Sequence, residues 1–410
     1  MAFPRRDRLL RYLRAERRTL SQGFVALFIS SGGDLLAGLA LSFMSDQLKA
    51  LPGLIVLIPA AIGMRGNIFG ALGSRLGTGM HSGQFDRTWQ RDGFLRQNVA
   101  GSAVLTLATC LFLGPAAKIV STAFGLTSIS TLDFVVISIL GGVLGSLVVG
   151  GAAVAIGISS QRRGWDLDSV SAPLVTAIGD IATLPALWAA SFIVRLPLVT
   201  LIVGIAAATI CLVETVRGWL SERSRMRRIV RESLPILMLA GVIDILAGVV
   251  IERRLPSFVT FPALLILVPP FLEDTNALSG ILSSRLASKL HLGLIRPRAT
   301  PETLAMVDVA INFVFAIAVF FMVGVSAQLV SMATHQASPG FGMMIAISLI
   351  AGLLATVVSS AIAYYSAIAT FRFGFDPDNY GIPVGSSVMD LAGTLCLVMV
   401  ILLLGVNAHG

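Results

Sequence analysis

The sequence predicts an all-α polytopic membrane protein: two parallel five-helix repeats joined by one extra transmembrane helix, about 11 spans in all. Three observations carry this. Of the 410 residues 55% are hydrophobic and only 13% charged, with a mean hydropathy of +0.87, which excludes a soluble globular chain. Nearly the whole chain repeats itself at a spacing of 210 residues. Finally, Lys and Arg collect on one side of the layout that the apolar runs define.

In chain order, residues 1–20 carry RRDRLLRYLRAERR, Arg5 to Arg18, without a secretory apolar core or a small-residue cleavage site. This reads as a basic amphipathic helix on the cytoplasmic face, with Leu9, Leu10, Tyr12 and Leu13 available to lipid. The net charge of +8 therefore points to a membrane surface; no interleaved aromatics or motif point to nucleic acid. Spans are expected near 23–46, 52–76, 96–116, 132–158 and 169–192, then a connecting span near 196–216. Five more are expected near 234–251, 261–287, 304–330, 341–370 and 382–406. Repeat 1 thus covers 21–192, the connecting helix and a basic cytoplasmic loop 193–232, and repeat 2 233–410. Cys110, Cys211 and Cys396 are far apart in apolar runs and suggest neither a disulfide framework nor a thiolate metal site.

With the N-terminus inside, all but six of the 30 Lys and Arg fall on the cytoplasmic side. The exceptions are Lys49, Lys118, Arg195, Arg253 and Arg254 outside and Arg65 within a span. That places the protein in the cell membrane with a cytoplasmic N-terminus and an external C-terminus.

The repeat is clearest in LPGLIVLIPAAIGMRGNIFGALGSRLGTGMHSG (Leu51 to Gly83) against FPALLILVPPFLEDTNALSGILSSRLASKLHLG (Phe261 to Gly293). Asp34 also matches Asp244, and GWDLDSVSAPLVTAIGDIATL (from Gly164) matches GFDPDNYGIPVGSSVMDLAGT (from Gly374). Five spans alone would invert the second copy. The connecting span turns it round once more, so the repeats are parallel and related by a pseudo-twofold along the membrane normal. A site on that axis receives each residue twice.

The residue best placed for such a site is Asp180 with its counterpart Asp390. Pro173, Thr176 and Asp180 share one helix face, and Pro383, Ser386, Ser387 and Asp390 repeat the arrangement. An intramembrane carboxylate costs several kcal/mol, and the hydroxyl-and-carboxylate stripe suits a hydrated cation path. The competing reading is a pair of aspartates that satisfy hydroxyls or backbone at a helix contact.

PGLIVLIPAAIGMRGNIFGALGSRLGT resembles the PALLxLVPALLGxKGNLxxxLASRLST signature of solute carrier family 41. DLDSVSAPLVTAIGD and DPDNYGIPVGSSVMD are similar to its DPDNxxxPxxxxxGD element. That family is the tandem form of the MgtE magnesium channel membrane domain, whose five-span unit pairs about a pore on a twofold axis. The resemblance implies transport of a divalent cation, Mg2+ foremost with Mn2+ or Co2+ as other candidates, and places Asp180 and Asp390 at the pore. It also implies a functional monomer, a pseudo-dimer within one chain whose partners are membrane lipid and the ion.

The departures matter. The first copy has Arg65 where the family has Lys; in the second, the family's GKGN has become EDTN, Glu273 to Asn276. Two readings stand side by side: a buried Arg65–Asp274 ion pair across the pseudo-twofold, or Glu273 and Asp274 as part of the cation site. Asn67 and Asn276 offer neutral oxygens to water around the ion, or hydrogen bonds between helices. Asp168 and Asp378 stand at the expected cytoplasmic mouth, where helix capping explains them equally well. Asp34 and Asp244, within the first spans, either line the conduit or fix helix packing. No GxxxxGK[ST] loop suggests ATP-driven pumping and no Ser, His and Asp set suggests hydrolysis, so an enzyme is not expected. A Na+- or H+-coupled exchanger and a non-transporting membrane scaffold or sensor remain as alternatives to a pore.

Overall fold

Several apolar runs start or stop at glycine or proline, as at Gly53 before Leu54, Gly93 before Phe94 and Pro197 at the start of its helix. A computed structural model describes residues 27, 28, 30–85, 90, 92–163, 167–373 and 382–406. A first helix, α1, runs over 30–43. It is followed by α2 (Ser45–Ala50), α3 (Leu54–His81), α4 (Phe94–Ala123), α5 (Thr131–Arg163) and α6 (Leu167–Ser191). After the short 3-10 turn Ile193–Arg195 come α7 (Pro197–Trp219) and α8 (Ser224–Glu252). The second half continues as α9 (Leu255–Thr260), α10 (Ala263–His291), α11 (Thr303–Ala333), α12 (Phe341–Phe373) and α13 (Ile382–Leu403). The basic segment 1–20 lies outside the described residues.

Nine of these helices, α3 to α8 and α11 to α13, contain stretches long and apolar enough to cross a membrane. Of the two other predicted spans, α10 is as long as its counterpart α3 but carries Glu273, Asp274, Arg285 and Lys289; α1 is described only in part. The connecting helix α7 starts at Pro197, whose fixed φ suits the first helical turn. Its Leu198, Leu201, Ile202, Ile205 and Ile210 stay exposed, as a lipid-facing helix requires.

Matched local geometry accompanies the 210-residue spacing. The short helices α2 and α9 cover equivalent residues, and α3 and α10 are each followed by a glycine at positive φ, Gly83 (68°) and Gly293 (69°). Ser138 of α5 donates to the Cys110 carbonyl of α4 at 2.7 Å; Ser348 of α12 donates to the Phe320 carbonyl of α11 at the same distance. Proline interrupts both central helices, at Pro59 in α3 and at Pro269 and Pro270 in α10.

The halves are joined by an exchange of first helices. Gly38 of α1 lies against the backbone of Ile266 in α10, and the matching Gly248 of α8 lies against that of Val56 in α3. Exchanging the repeats turns one contact into the other, which is what a twofold relation demands. Each first helix therefore lies between the long second helix of the other repeat and the last helix of its own. Gly33 of α1 meets Ala177 of α6, and α8 packs on α13 as well as on α3 and α4. Glycine is needed at 38 and 248 because any Cβ would enter a neighbouring backbone.

Candidate functional site

Where the two halves meet, a cavity of about 30 Å3, measured as space open to the centre of a water molecule, lies among α1, α3, α6, α8, α10 and α13. Its walls come mostly in pairs 210 residues apart: Leu41 and Ile251, Ile58 and Val268, Pro59 and Pro269, Ile62 and Leu272, Asp180 and Asp390. Such a lining places the cavity on the pseudo-twofold axis, and a space of this size holds roughly two water molecules. Pro59 and Pro269 have no N–H, so the Ile55 and Leu265 carbonyls lose their usual in-helix donor; Ile55 lines the cavity as well.

The structure thus brings the two predicted aspartates, Asp180 and Asp390, to one cavity. Asp390 accepts a hydrogen bond from Asn276 Nδ2 at 2.8 Å, which orients it, while Asp180 Oδ2 is buried without a partner among the described residues. Glu273 lines the same cavity, and its equivalent in the first repeat is Gly63. Gly63 has no space for a side chain: its Cβ would stand 2.7 Å from Asp244 Oδ2. The second repeat therefore sets a carboxylate beside Asp34 where the first has only backbone beside Asp244.

Asp34 and Asp244 are fully buried, and among the described residues neither carboxylate has a well-formed hydrogen bond. The Ser30 hydroxyl lies beside Asp34 and the Ser387 hydroxyl beside Asp244. Asp34 is within Coulombic reach of Glu273 and Asp274, and Asp180 within that of Glu273, Asp34, Asp390 and Arg65. Buried carboxylates without donors are costly, and a cation among them would offset that cost. Among the described residues, no three His, Cys, Asp or Glu side chains converge into a ready coordination shell. A divalent ion would then keep part of its water and meet the carboxylates through it, as suits an ion that dehydrates reluctantly.

The other candidates divide. Ser386 donates to Asn67 Oδ1 at 3.4 Å and to the Pro383 carbonyl at 3.0 Å, linking α13 to α3 across the two repeats. Ser387 is buried with its hydroxyl unpaired, and Thr176 is half-buried on α6. Asp168 and Asp378 lie outside the described side chains. Of the two readings offered for these residues, the Arg65–Asp274 ion pair is not formed. Asp274 takes the hydroxyl of Ser31 on α1, with its two oxygens 2.9 and 2.8 Å away, and Arg65 Nη2 donates to the Gly141 carbonyl at 3.1 Å. Equal depth in matched helices brought these residues to one level without turning them toward each other.

Sequence reasoning missed a second polar cluster. Asp308 of α11 is fully buried and bonds both Arg285, at 3.0 Å, and Lys289 of α10. In the first repeat Asn98 and Ser102 of α4 take Arg75 at 3.1 and 3.2 Å. The exchange of Asn98 for Asp308, with Gly79 for Lys289, was visible in the spacing, but no motif marked it.

Fold and site together define an integral membrane protein of two like helical repeats around a carboxylate-lined axial cavity, the construction of an ion transporter. The profile of the MgtE family, described as divalent cation transporters, matches residues 58–190 and again 268–400, and the chain belongs to that family. The two matches are themselves offset by 210 residues. Solute carrier family 41 member 3 of Rattus norvegicus is 24% identical over 94% of this chain and 87% of its own length. Solute carrier family 41 member 2 of Xenopus laevis is 23% identical over 92% of this chain and 70% of its own. Among solved structures, the eukaryotic MATE transporter AtDTX14 covers 95% of this chain and 96% of its own, at 14% identity and a TM-score of 0.33. That likeness is too loose to argue from.

Proposed function

We propose that the protein carries divalent cations, Mg2+ foremost, across the cell membrane through the axial cavity, with Asp180 and Asp390 as the carboxylates that meet the ion. The observation that carries this reading is a single cavity walled by residue pairs 210 apart, both aspartates among them. The chain supplies both halves of the site, so it works as a monomer. The charge asymmetry of its loops supports a cytoplasmic N-terminus and an external C-terminus. Mg2+ suits a site where few carboxylates act on an ion that keeps waters; Mn2+ and Co2+, of similar charge and preferred ligands, are the natural competitors.

The test is Mg2+ flux into proteoliposomes containing a Mg2+-sensitive dye, for the wild type and for Asp180→Ala with Asp390→Ala. Flux down its own gradient that the double variant loses is the expected result; unchanged flux in the double variant would overturn the assignment. A coupled exchanger is the second reading, favoured by the acidic group Asp34, Glu273 and Asp274, formed across the two halves, whose symmetry counterpart has Asp244 with Gly63 and Met64. Flux that appears only with an opposing Na+ or pH gradient would decide for it.

A further inference from the structure

Arg65 occupies a berth that only the first repeat provides. Its side chain is almost fully buried in α3, where the second repeat has Thr275, whose hydroxyl turns back to its own helix at the Phe271 carbonyl, 2.7 Å away. Around Arg65 stand Cys110 of α4 and Gly142 and Gly145 of α5; a Cβ on Gly145 would lie 3.0 Å from the guanidinium carbon. The equivalent residues of the second repeat are Phe320, Gly352 and Ala355. There the Phe320 ring fills the space over Gly352 and packs on Phe271 with centroids 5.1 Å apart. Two positions thus change together with Arg65: a small sulfur replaces a phenyl ring, a glycine replaces an alanine, and the guanidinium fits.

Among the described residues, Nη2 of that guanidinium is bonded to Gly141 and Nε and Nη1 are buried without a partner. A guanidinium so placed is costly unless an opposite charge stands near. Asp180 is within Coulombic reach and its Oδ2 is likewise unpaired, yet the two make no direct ion pair. Among the described residues, the groups that act on Asp390 are Asp244, Glu273 and Asn276, with no cation. Asp390 is oriented instead by the neutral Asn276, and it is 9% exposed where Asp180 is 2% exposed.

We propose that Arg65 is a resident positive charge of the cation site, one that offsets Asp180 across a gap and leaves Asp390 as the carboxylate that holds the divalent cation. The inference rests on the axial reading above and deepens it: the two aspartates match in sequence and differ in work. A fixed charge beside the ion weakens its binding and quickens its release, and a conduction site has to let its ion go. Arg65 is then a positioning residue for affinity, with no contact to the ion.

The experiment measures Mg2+ affinity calorimetrically on the purified full chain in detergent and Mg2+ flux in proteoliposomes. In the wild-type background Asp390→Asn is expected to lose affinity about a hundredfold and Asp180→Asn, which leaves the Arg65 charge unopposed, about tenfold. Arg65→Gln is expected to bind Mg2+ about tenfold more tightly with slower flux, the size of a unit-charge interaction in a partly screened interior. In that background Asp180→Asn should cost about tenfold. Arg65→Lys, which keeps the charge, should stay nearer the wild type than Arg65→Gln does. Equal losses for the two aspartate variants, or a folded Arg65→Gln that binds no more tightly, would overturn the inference while leaving the axial site intact. If neither aspartate variant changes Mg2+ binding or flux, the axial reading falls with it. Should Arg65→Gln not fold, the comparison of Asp180→Asn with Asp390→Asn still decides.

Discussion

Asp308 in α11 stands where Asn98 stands in α4, and the exchange turns a neutral clamp on Arg75 into a buried carboxylate shared by Arg285 and Lys289. Asp308→Asn leaves the buried Lys289 and the half-buried Arg285 without that carboxylate and is expected to cost about 3 kcal/mol, toward the low end of the penalty for breaking a buried pair from one side. Thermal unfolding in detergent should register it as a large drop in Tm. The counterpart change, Asn98→Asp, removes only the amide that bonds the Phe94 carbonyl and adds a charge beside Arg75, so its effect should be much smaller.

The two glycines of the exchanged helices give a second, paired expectation. Gly38→Ala and Gly248→Ala each drive a methyl into the backbone of the opposite repeat, and overpacking of this kind costs about 1–3 kcal/mol. Gly280→Ala on α10 meets open space and should be neutral or stabilising by about 0.5–1 kcal/mol, because alanine orders a helix at less entropic cost. Unfolding curves of the three variants, measured side by side, check both signs.

Ser31 and Asp274 form a pair whose counterpart is Gly241 and Met64, two residues that also lie beside each other. Ser31→Gly alone takes from a buried carboxylate its hydroxyl donor and should cost about 1–3 kcal/mol. Asp274→Met alone forces a longer side chain against Ser31. The double variant copies the arrangement of the other repeat and is expected to recover most of the stability. Additive losses in a double-mutant cycle would refute this equivalence.

Asn276 holds Asp390 through its amide nitrogen, and Asn67 meets only the hydroxyl of Ser386 at 3.4 Å. Groups that orient an ion-binding carboxylate are typically worth about ten- to a hundredfold in affinity. Asn276→Ala should therefore weaken Mg2+ binding by that factor, and Asn67→Ala by much less. Titration calorimetry on the two variants separates them.

The 210-residue spacing made both the repeat and the convergence of Asp180 with Asp390 legible, because a residue near a twofold axis meets its own copy. Off the axis the same logic misleads. Arg65 and Asp274 are near-equivalents in sequence, and a twofold operation carries such residues to opposite sides, where each bonds what its own surroundings offer. Nor could apolar periodicity reveal that α1 and α8 trade places. An all-round hydrophobic helix satisfies several neighbours equally, and only the small surfaces at Gly38 and Gly248 select one. The role of Gly142 and Gly145 was hidden for a related reason: a glycine that makes room for a guanidinium reads the same as one that lets two helices touch.

Because each half grips a helix of the other, the halves cannot swing apart like the leaves of a hinge. Any opening of the axial path must slide α1 along α10 and α8 along α3, with backbone running on backbone at Gly38 and Gly248. Motion of that sort is shear: short in stroke, stiff sideways, and felt at both contacts at once. A tether placed at either glycine contact should therefore arrest the whole molecule, including the half it does not touch.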